Sequence, residues 1–234
     1  NILVIGGSSG IGFGVARAAH EAGAHITIAS SNPDRVKAAI ARLGGGAGAI
    51  LAVANEAEVE RFFSAPKTWD HIAFTAADWV QVDHTDLSQI DLAEARALFE
   101  VRLWGALAVA KHGAPRMTPG GTIILTNGMA AHRPQKGLAI STAMAGAVEH
   151  LVIGLAFDLA PVRVNGVCPG AIRTEAWDEL PPDFRKFQED RLAGQLVPRV
   201  GETAEAAEAY LYLMRCGYVT GQTLRVEGGW SLGG

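Results

Sequence analysis

Short β-branched runs alternate along this chain with longer stretches whose apolar residues recur every three to four positions. The first run, Ile2-Leu-Val-Ile5, is followed by Gly6, Gly10, Gly12 and Gly14 and then by Val15-Ala-Arg-Ala-Ala-His-Glu-Ala, which predicts a strand, a tight glycine turn and a helix. Residues 25–30 predict a second strand. Ser31-Asn32-Pro33 then starts a helix with Val36, Ile40 and Leu43 on one face, stopped by Gly44-Gly-Gly46. A third strand is expected at 49–53, followed by Asn55 and Glu58 as a capping pair for a short helix carrying Val59, Phe62 and Phe63. Residues 71–75 read as the fourth strand, and 91–112 as a long helix with Leu92, Ala95, Phe99, Leu103 and Ala106 in register. Strands at 122–126, 162–167 and 222–226 and helices at 138–157 and 203–214 complete the alternation.

Strands joined by helical crossovers imply a Rossmann-like, doubly wound α/β fold, with about seven parallel strands and helices on both faces. No linker divides the 234 residues, so 1–234 is read as one dinucleotide-binding domain. The Pro-, Asp- and Glu-rich stretch 173–199, with Phe184 and Phe187, reads as a small mobile lid. Helix 138–157 is apolar all round, more than one sheet face covers, which predicts a second subunit against it.

Composition narrows the partners. A net charge of −4 with dispersed charges excludes a basic field for nucleic acid. No stretch is read as a membrane span, and no targeting segment is read ahead of the first strand. Cys168 and Cys216 stand apart with no metal-ligand spacing, which predicts reduced thiols in a cytoplasmic protein without a metal.

The glycine turn carries the chemistry. Glycines permit φ > 0 and close ligand approach, so the first-turn N–H groups of the following helix face a pyrophosphate. The spacing Gly6-x-x-x-Gly10-x-Gly12, with Val164-Asn165, Pro169-Gly170-x-Ile172-x-Thr174 and the run from Gly221 to Gly229, resembles the short-chain dehydrogenase/reductase family over essentially the whole chain. That resemblance implies a nicotinamide dinucleotide held by Gly6, Ser8, Ser9, Gly10, Ile11 and Gly12, by Ser30, Ser31 and Asn32, by Ala52 and Val53, by Thr75, Ala76 and Ala77, and by Pro169, Gly170, Ile172 and Thr174. It also implies a small-molecule substrate and a homodimer or homotetramer.

The same alignment places Arg102, Gly128, Ser141 and Ala145 where the family carries its catalytic Asn, Ser, Tyr and Lys. The chain has only Tyr210, Tyr212 and Tyr218, none with a lysine four residues on. Hydride arriving at a carbonyl leaves charge on oxygen that a positioned donor must quench, so a substitute is required for the usual reaction. Arg102 is one candidate, as an oxyanion or carboxylate ligand, with a structural ion pair to Asp78 as the alternative; Ser141 is another, as a hydrogen-bonding group or a space-filler. His132 reads as solvated loop surface and Trp79 as either a stacking platform or packing. Ser30-Ser31-Asn32 in place of an acidic residue favours NADP(H) over NAD(H), with Arg35 on the next turn; plain helix capping by Ser31 and Asn32 is the alternative. Two functions follow: an atypical NADP(H)-dependent oxidoreductase acting on a carbonyl, quinone or similar acceptor, or a catalytically degenerate NADP(H)-binding scaffold or redox sensor. A structural oligomer with an empty pocket is a third, disfavoured by the intact glycine loop.

Overall fold

Seven strands form one parallel sheet in the order Ala47–Ile50, Ile26–Ser30, Ile2–Ile5, Trp69–Phe74, Met117–Thr126, Arg163–Pro169 and Thr223–Val226, the expected doubly wound arrangement. In this computed structural model residues 1–78, 83, 86–179 and 181–232 are described; Trp79 and the Phe184 and Phe187 side chains lie outside the description. β1 is Ile2–Ile5, α1 Gly10–Glu21, β2 Ile26–Ser30, α2 Pro33–Leu43, β3 Ala47–Ile50, α3 Glu56–Ser64 and β4 Trp69–Phe74. The second half holds α4 Leu92–Phe99, α5 Ala106–Gly113, β5 Met117–Thr126, α6 Ala139–Asp158, β6 Arg163–Pro169, β7 Ile172–Arg173, α7 Glu175–Asp178, α8 Pro182–Leu192, β8 Gly201–Glu202, α9 Thr203–Arg215 and β9 Thr223–Val226.

The central strands are mostly apolar because helices cover both sheet faces. Leu3, Ile5, Ile72, Phe74, Ile123 and Leu125 pack with α3 to α6, while Ile2, Val4, Ala73 and Ile124 pack with α1 and α9. Two buried polar residues at the start of β6 anchor the sheet edge. Arg163 donates to the main-chain carbonyls of Leu213, Val219, Met214 and Gly120 at 2.9, 3.0, 3.3 and 3.5 Å. Asn165 donates to Val219 O and accepts from Gln222 N, which sets the entry into β9.

Several boundaries differ from the sequence expectation. The third strand spans 47–50 instead of 49–53: Ala49 and Ile50 pair with Ala29 and Ser30, and the chain then turns, with Asn55 N on Ala52 O. Leu51 and Val53 are apolar because they enter the core beyond the ladder. The Asn55 side chain makes no cap and instead donates to Glu58. The long helix is broken by a wide π turn at Glu100–Gly105; Ala95 and Ala106 are buried as expected, Phe99 and Leu103 are partly buried against the same core, and Leu92 in the first turn is exposed. A two-stranded sheet, β7 with β8, lies outside the expected set.

Helix α6 also corrects a reading, since by length and composition it is apolar enough to cross a membrane. Here it covers the sheet: Met144, Ala145, Val148, Val152 and Leu155 are buried, while Ile153 and Phe157 remain 43% and 82% exposed.

Candidate cofactor and substrate site

Three segments converge beyond the carboxyl ends of β1, β4 and β6. Gly6 adopts φ +82°, and a Cβ there would lie 2.5 Å from Ala76 N. A Cβ on Gly12 would lie 2.3 Å from both Gly6 O and Thr75 Oγ1, so the loop is folded tightly onto the end of β4. Thr75 fixes that contact from its side, its N–H and hydroxyl both donating to Ile5 O at 2.8 and 3.0 Å. Gly10, at φ +54°, sits against Thr174, whose methyl carbon is 3.3 Å from a Cβ built there. Gly170 closes the third side, its N–H on Val226 O at 2.9 Å.

The cradle fits a diphosphate. Phe13 is the first residue of α1 whose N–H donates to a main-chain carbonyl, Ser9 O at 3.0 Å. The N–H groups of Ile11 and Gly12 precede it without an intrahelical acceptor and point out of the helix end. Ser9 is the exposed N-cap residue and makes no side-chain cap, while Ser8 is buried. Gly10 N–H donates to Glu175 Oε2 at 2.8 Å, and Arg42 holds the other oxygen of that carboxylate at 3.2 Å while its guanidinium stacks on Phe13. Burial raises Glu175, and hydrogen bonds from its own N–H, Gly10 and Arg42 outweigh it, leaving the carboxyl below its ordinary value. Neither Glu175 nor Arg42 was singled out by sequence reasoning; the one signal was an acidic residue directly after Thr174.

At the predicted adenosine end, Ser30 closes β2 and Ser31 is exposed. Asn32 Oδ1 accepts Arg35 N–H at 3.0 Å, so the capping half of the alternative is met while the amide donors remain. Ala52 N donates to Glu58 Oε2 at 3.3 Å, and Val53 is buried against Gly105. Ala77 is half-buried beside Ala76, and Pro169 and Ile172 flank Gly170, with Ile172 paired to Gly201 in the small sheet.

On the predicted substrate side, Arg102 lies in the π turn and donates to Asp78 O at 3.3 Å. Burial lowers its pKa and the nearby Asp78 charge partly restores it. Ser141 stands in the first turn of α6, and its hydroxyl meets Asp83 in a short hydrogen bond. Ala145, one turn further on, is 1% exposed, whereas a Cβ on Gly128 would meet nothing within 4 Å. His132 is no solvated surface residue: its Nε2 is 3.0 Å from Glu149 Oε2, and Asn127 Nδ2 donates to the same oxygen at 3.2 Å. The tyrosines are elsewhere. Tyr210 is buried in α9 with its hydroxyl 2.7 Å from Thr126 Oγ1; Thr126 donates to Phe74 O, so Tyr210 is the donor of that pair. Tyr212 and Tyr218 are exposed.

Residues 6–231 match the family described as "Enoyl-(Acyl carrier protein) reductase". The chain belongs to the short-chain dehydrogenase/reductase family. Among members of this family, it is 34% identical to "Short-chain dehydrogenase/reductase ucsE" from Acremonium sp over 97% of this chain and 94% of the relative. It is 32% identical to "Short-chain dehydrogenase/reductase malC" from Malbranchea aurantiaca, over 98% and 93%. The solved structure of the MalC reductase/Diels-Alderase from that organism superposes with a TM-score of 0.91 at 31% identity, covering 99% and 96% of the two chains. A small-chain dehydrogenase in complex with NADPH gives 0.84 at 31% identity, covering 99% and 98%. The fold is therefore that of an NAD(P)-dependent oxidoreductase.

Proposed function

We propose that this family member is an atypical NADP(H)-dependent oxidoreductase that moves hydride between nicotinamide and a carbonyl, quinone or similar small acceptor. The observation that carries the reading is the intact cradle: Gly6 and Gly12 against Thr75-Ala76, Gly10 against Thr174, and the open N–H groups of Ile11 and Gly12. The likeness to a neighbour in complex with NADPH supports the dinucleotide, and Ser31, the Asn32 amide and the first turn of α2 favour the 2′-phosphate form. When bound, the nicotinamide supplies or accepts the hydride. The chain's own part is to hold the diphosphate on α1, to orient the acceptor near Arg102 and Ser141, and to exclude water with the 173–199 segment acting as a lid. Arg102, half-buried and positive, stabilises charge developing on the acceptor oxygen. Arg102, Gly128, Ser141 and Ala145 at the family's four catalytic positions make the chemistry atypical.

The test is NADPH and NADH binding, then NADPH oxidation with ketones, aldehydes and quinones, for wild type and Arg102→Ala. Tighter NADPH than NADH with turnover that Arg102→Ala reduces supports the reading; NADPH binding without turnover across the panel favours the scaffold or redox sensor. Ring closure of the kind named for the Malbranchea neighbour is a second reading. It is favoured by Ser141 and Ala145, because a concerted cycloaddition needs orientation and no proton donor. Half-exposed Trp104 and exposed Ile153 and Phe157 are the proposed contact of a homodimer or homotetramer, checked by sedimentation.

A further inference from the structure

Asp83 is a buried carboxylate, 7% exposed, in the segment between β4 and α4. Its oxygens collect donors from the first turn of α6: Ile140 N at 2.9 Å, Ser141 N at 3.2 Å, and the Ser141 hydroxyl in the shortest contact of the three. The two N–H contacts are those of a helix cap supplied from another part of the chain, since Leu138 at the N-cap position has no side chain able to serve. The third is not explained by capping. A carboxylate that holds the Ser141 hydrogen turns the oxygen lone pairs of Ser141 away from Asp83, so that Ser141 presents an acceptor to a ligand.

We infer that Asp83 and Ser141 form the proton relay of this site, with Ser141 the group that touches substrate and Asp83 the positioning residue that stores the proton. The inference rests on the oxidoreductase reading above. In alcohol oxidation, the substrate O–H proton passes to Ser141 Oγ as the hydrogen of Ser141 passes to Asp83 Oδ2. The oxygen electron pair forms the C=O bond as hydride leaves the carbon for the oxidised nicotinamide. One alcohol becomes one carbonyl, the nicotinamide gains two electrons and one hydrogen, and Asp83 ends protonated, later losing that proton to solvent. Reduction runs the same steps backwards: the Asp83 carboxyl restores the Ser141 proton given to the carbonyl oxygen. The pair thus supplies from two elements the donor that a single side chain would otherwise provide.

The experiment uses Asp83→Asn, Ser141→Ala, Ser141→Thr and the Asp83→Asn/Ser141→Ala double variant. Amide hydrogen exchange at Ile140 and Ser141 in the cofactor-free chain reports the cap, because asparagine still accepts both N–H groups. With the carbonyl that the wild type reduces fastest, kcat is expected to fall about 10²-fold or more in Asp83→Asn and Ser141→Ala. The KM for NADPH and the exchange protection should stay near wild type, Ser141→Thr should recover most of the rate, and the double variant should be no slower than either single one. Near-wild-type kcat in either single variant, or losses that multiply in the double, overturns the relay. Lost exchange protection in Asp83→Asn also overturns it, since the rate would then report a displaced helix. A wild type that binds NADPH and turns over nothing overturns the oxidoreductase reading itself, and the relay with it.

Discussion

Glu175 places a negative charge beside the phosphate loop, and its removal should tighten NADPH binding. Its carboxylate is 2.8 Å from Gly10 N, so a diphosphate on the adjacent Ile11 and Gly12 N–H groups would lie at ~6 Å from it. At that separation Coulomb repulsion amounts to ~1.4–2.8 kcal/mol for an effective dielectric of ~20–40. The Glu175 side chain is 48% exposed and neutralised on one side by Arg42, so solvent screening brings the net effect to about 1 kcal/mol. Glu175→Gln retains an acceptor for Gly10 N–H and frees Arg42 to attract phosphate. The expected outcome is about fivefold tighter NADPH at low ionic strength, with the gain shrinking as salt is added. The assay is a titration followed by nicotinamide fluorescence, with a thermal melt as control for folding. Unchanged or weaker affinity at low salt would refute the reasoning and recast Glu175 as the fastening that holds Thr174 against the loop.

Four other outcomes are expected. Gly12→Ala forces a Cβ to 2.3 Å from Gly6 O and Thr75 Oγ1, so NADPH binding should be lost along with about 1–3 kcal/mol of stability. Gly128→Ser, entering open space at an extended φ of −147°, should melt within about 0.5 kcal/mol of wild type. Arg163→Met leaves four main-chain carbonyls without their cationic donor and should cost about 3 kcal/mol by denaturant unfolding, the largest effect at any residue remote from the site. Glu205 is held at about 2 by Arg199 and by the Glu202 N–H, below its ordinary 4.5. A depressed carboxyl stabilises the fold fully above its unfolded value, so this contribution should fade as pH falls from 4.5 towards about 2. Melting curves of Glu205→Gln should show a weaker acid dependence over that window.

The alternation of β-branched runs and amphipathic helices was enough to define the sheet, because parallel strands buried on both faces and crossover helices leave strong local periodicity. The glycine spacing likewise marked the tight turn after β1, since φ > 0 at Gly6 and Gly10 is a backbone requirement written into residue type. Boundaries were harder. Leu51 and Val53 look like strand residues but are buried beyond the ladder, and helix periodicity through Arg102 gave no warning of the π turn.

Which residues the resemblance assigns to the four family positions was also legible from sequence, as was the absence of any tyrosine followed four residues on by lysine. What stands beside those positions was not. Asp83 reaches Ser141 across 58 residues of chain, and Glu175 reaches Gly10 across 165. His132 and Glu149 meet only because α6 packs back over the loop that follows β5. Such pairings leave no periodic trace, since a carboxylate selects its donors by position in space and not by spacing along the chain. The sequence by itself determined the fold through local backbone preferences; only the tertiary structure decided which charges face the glycine loop, because long-range packing of separate elements brings them there.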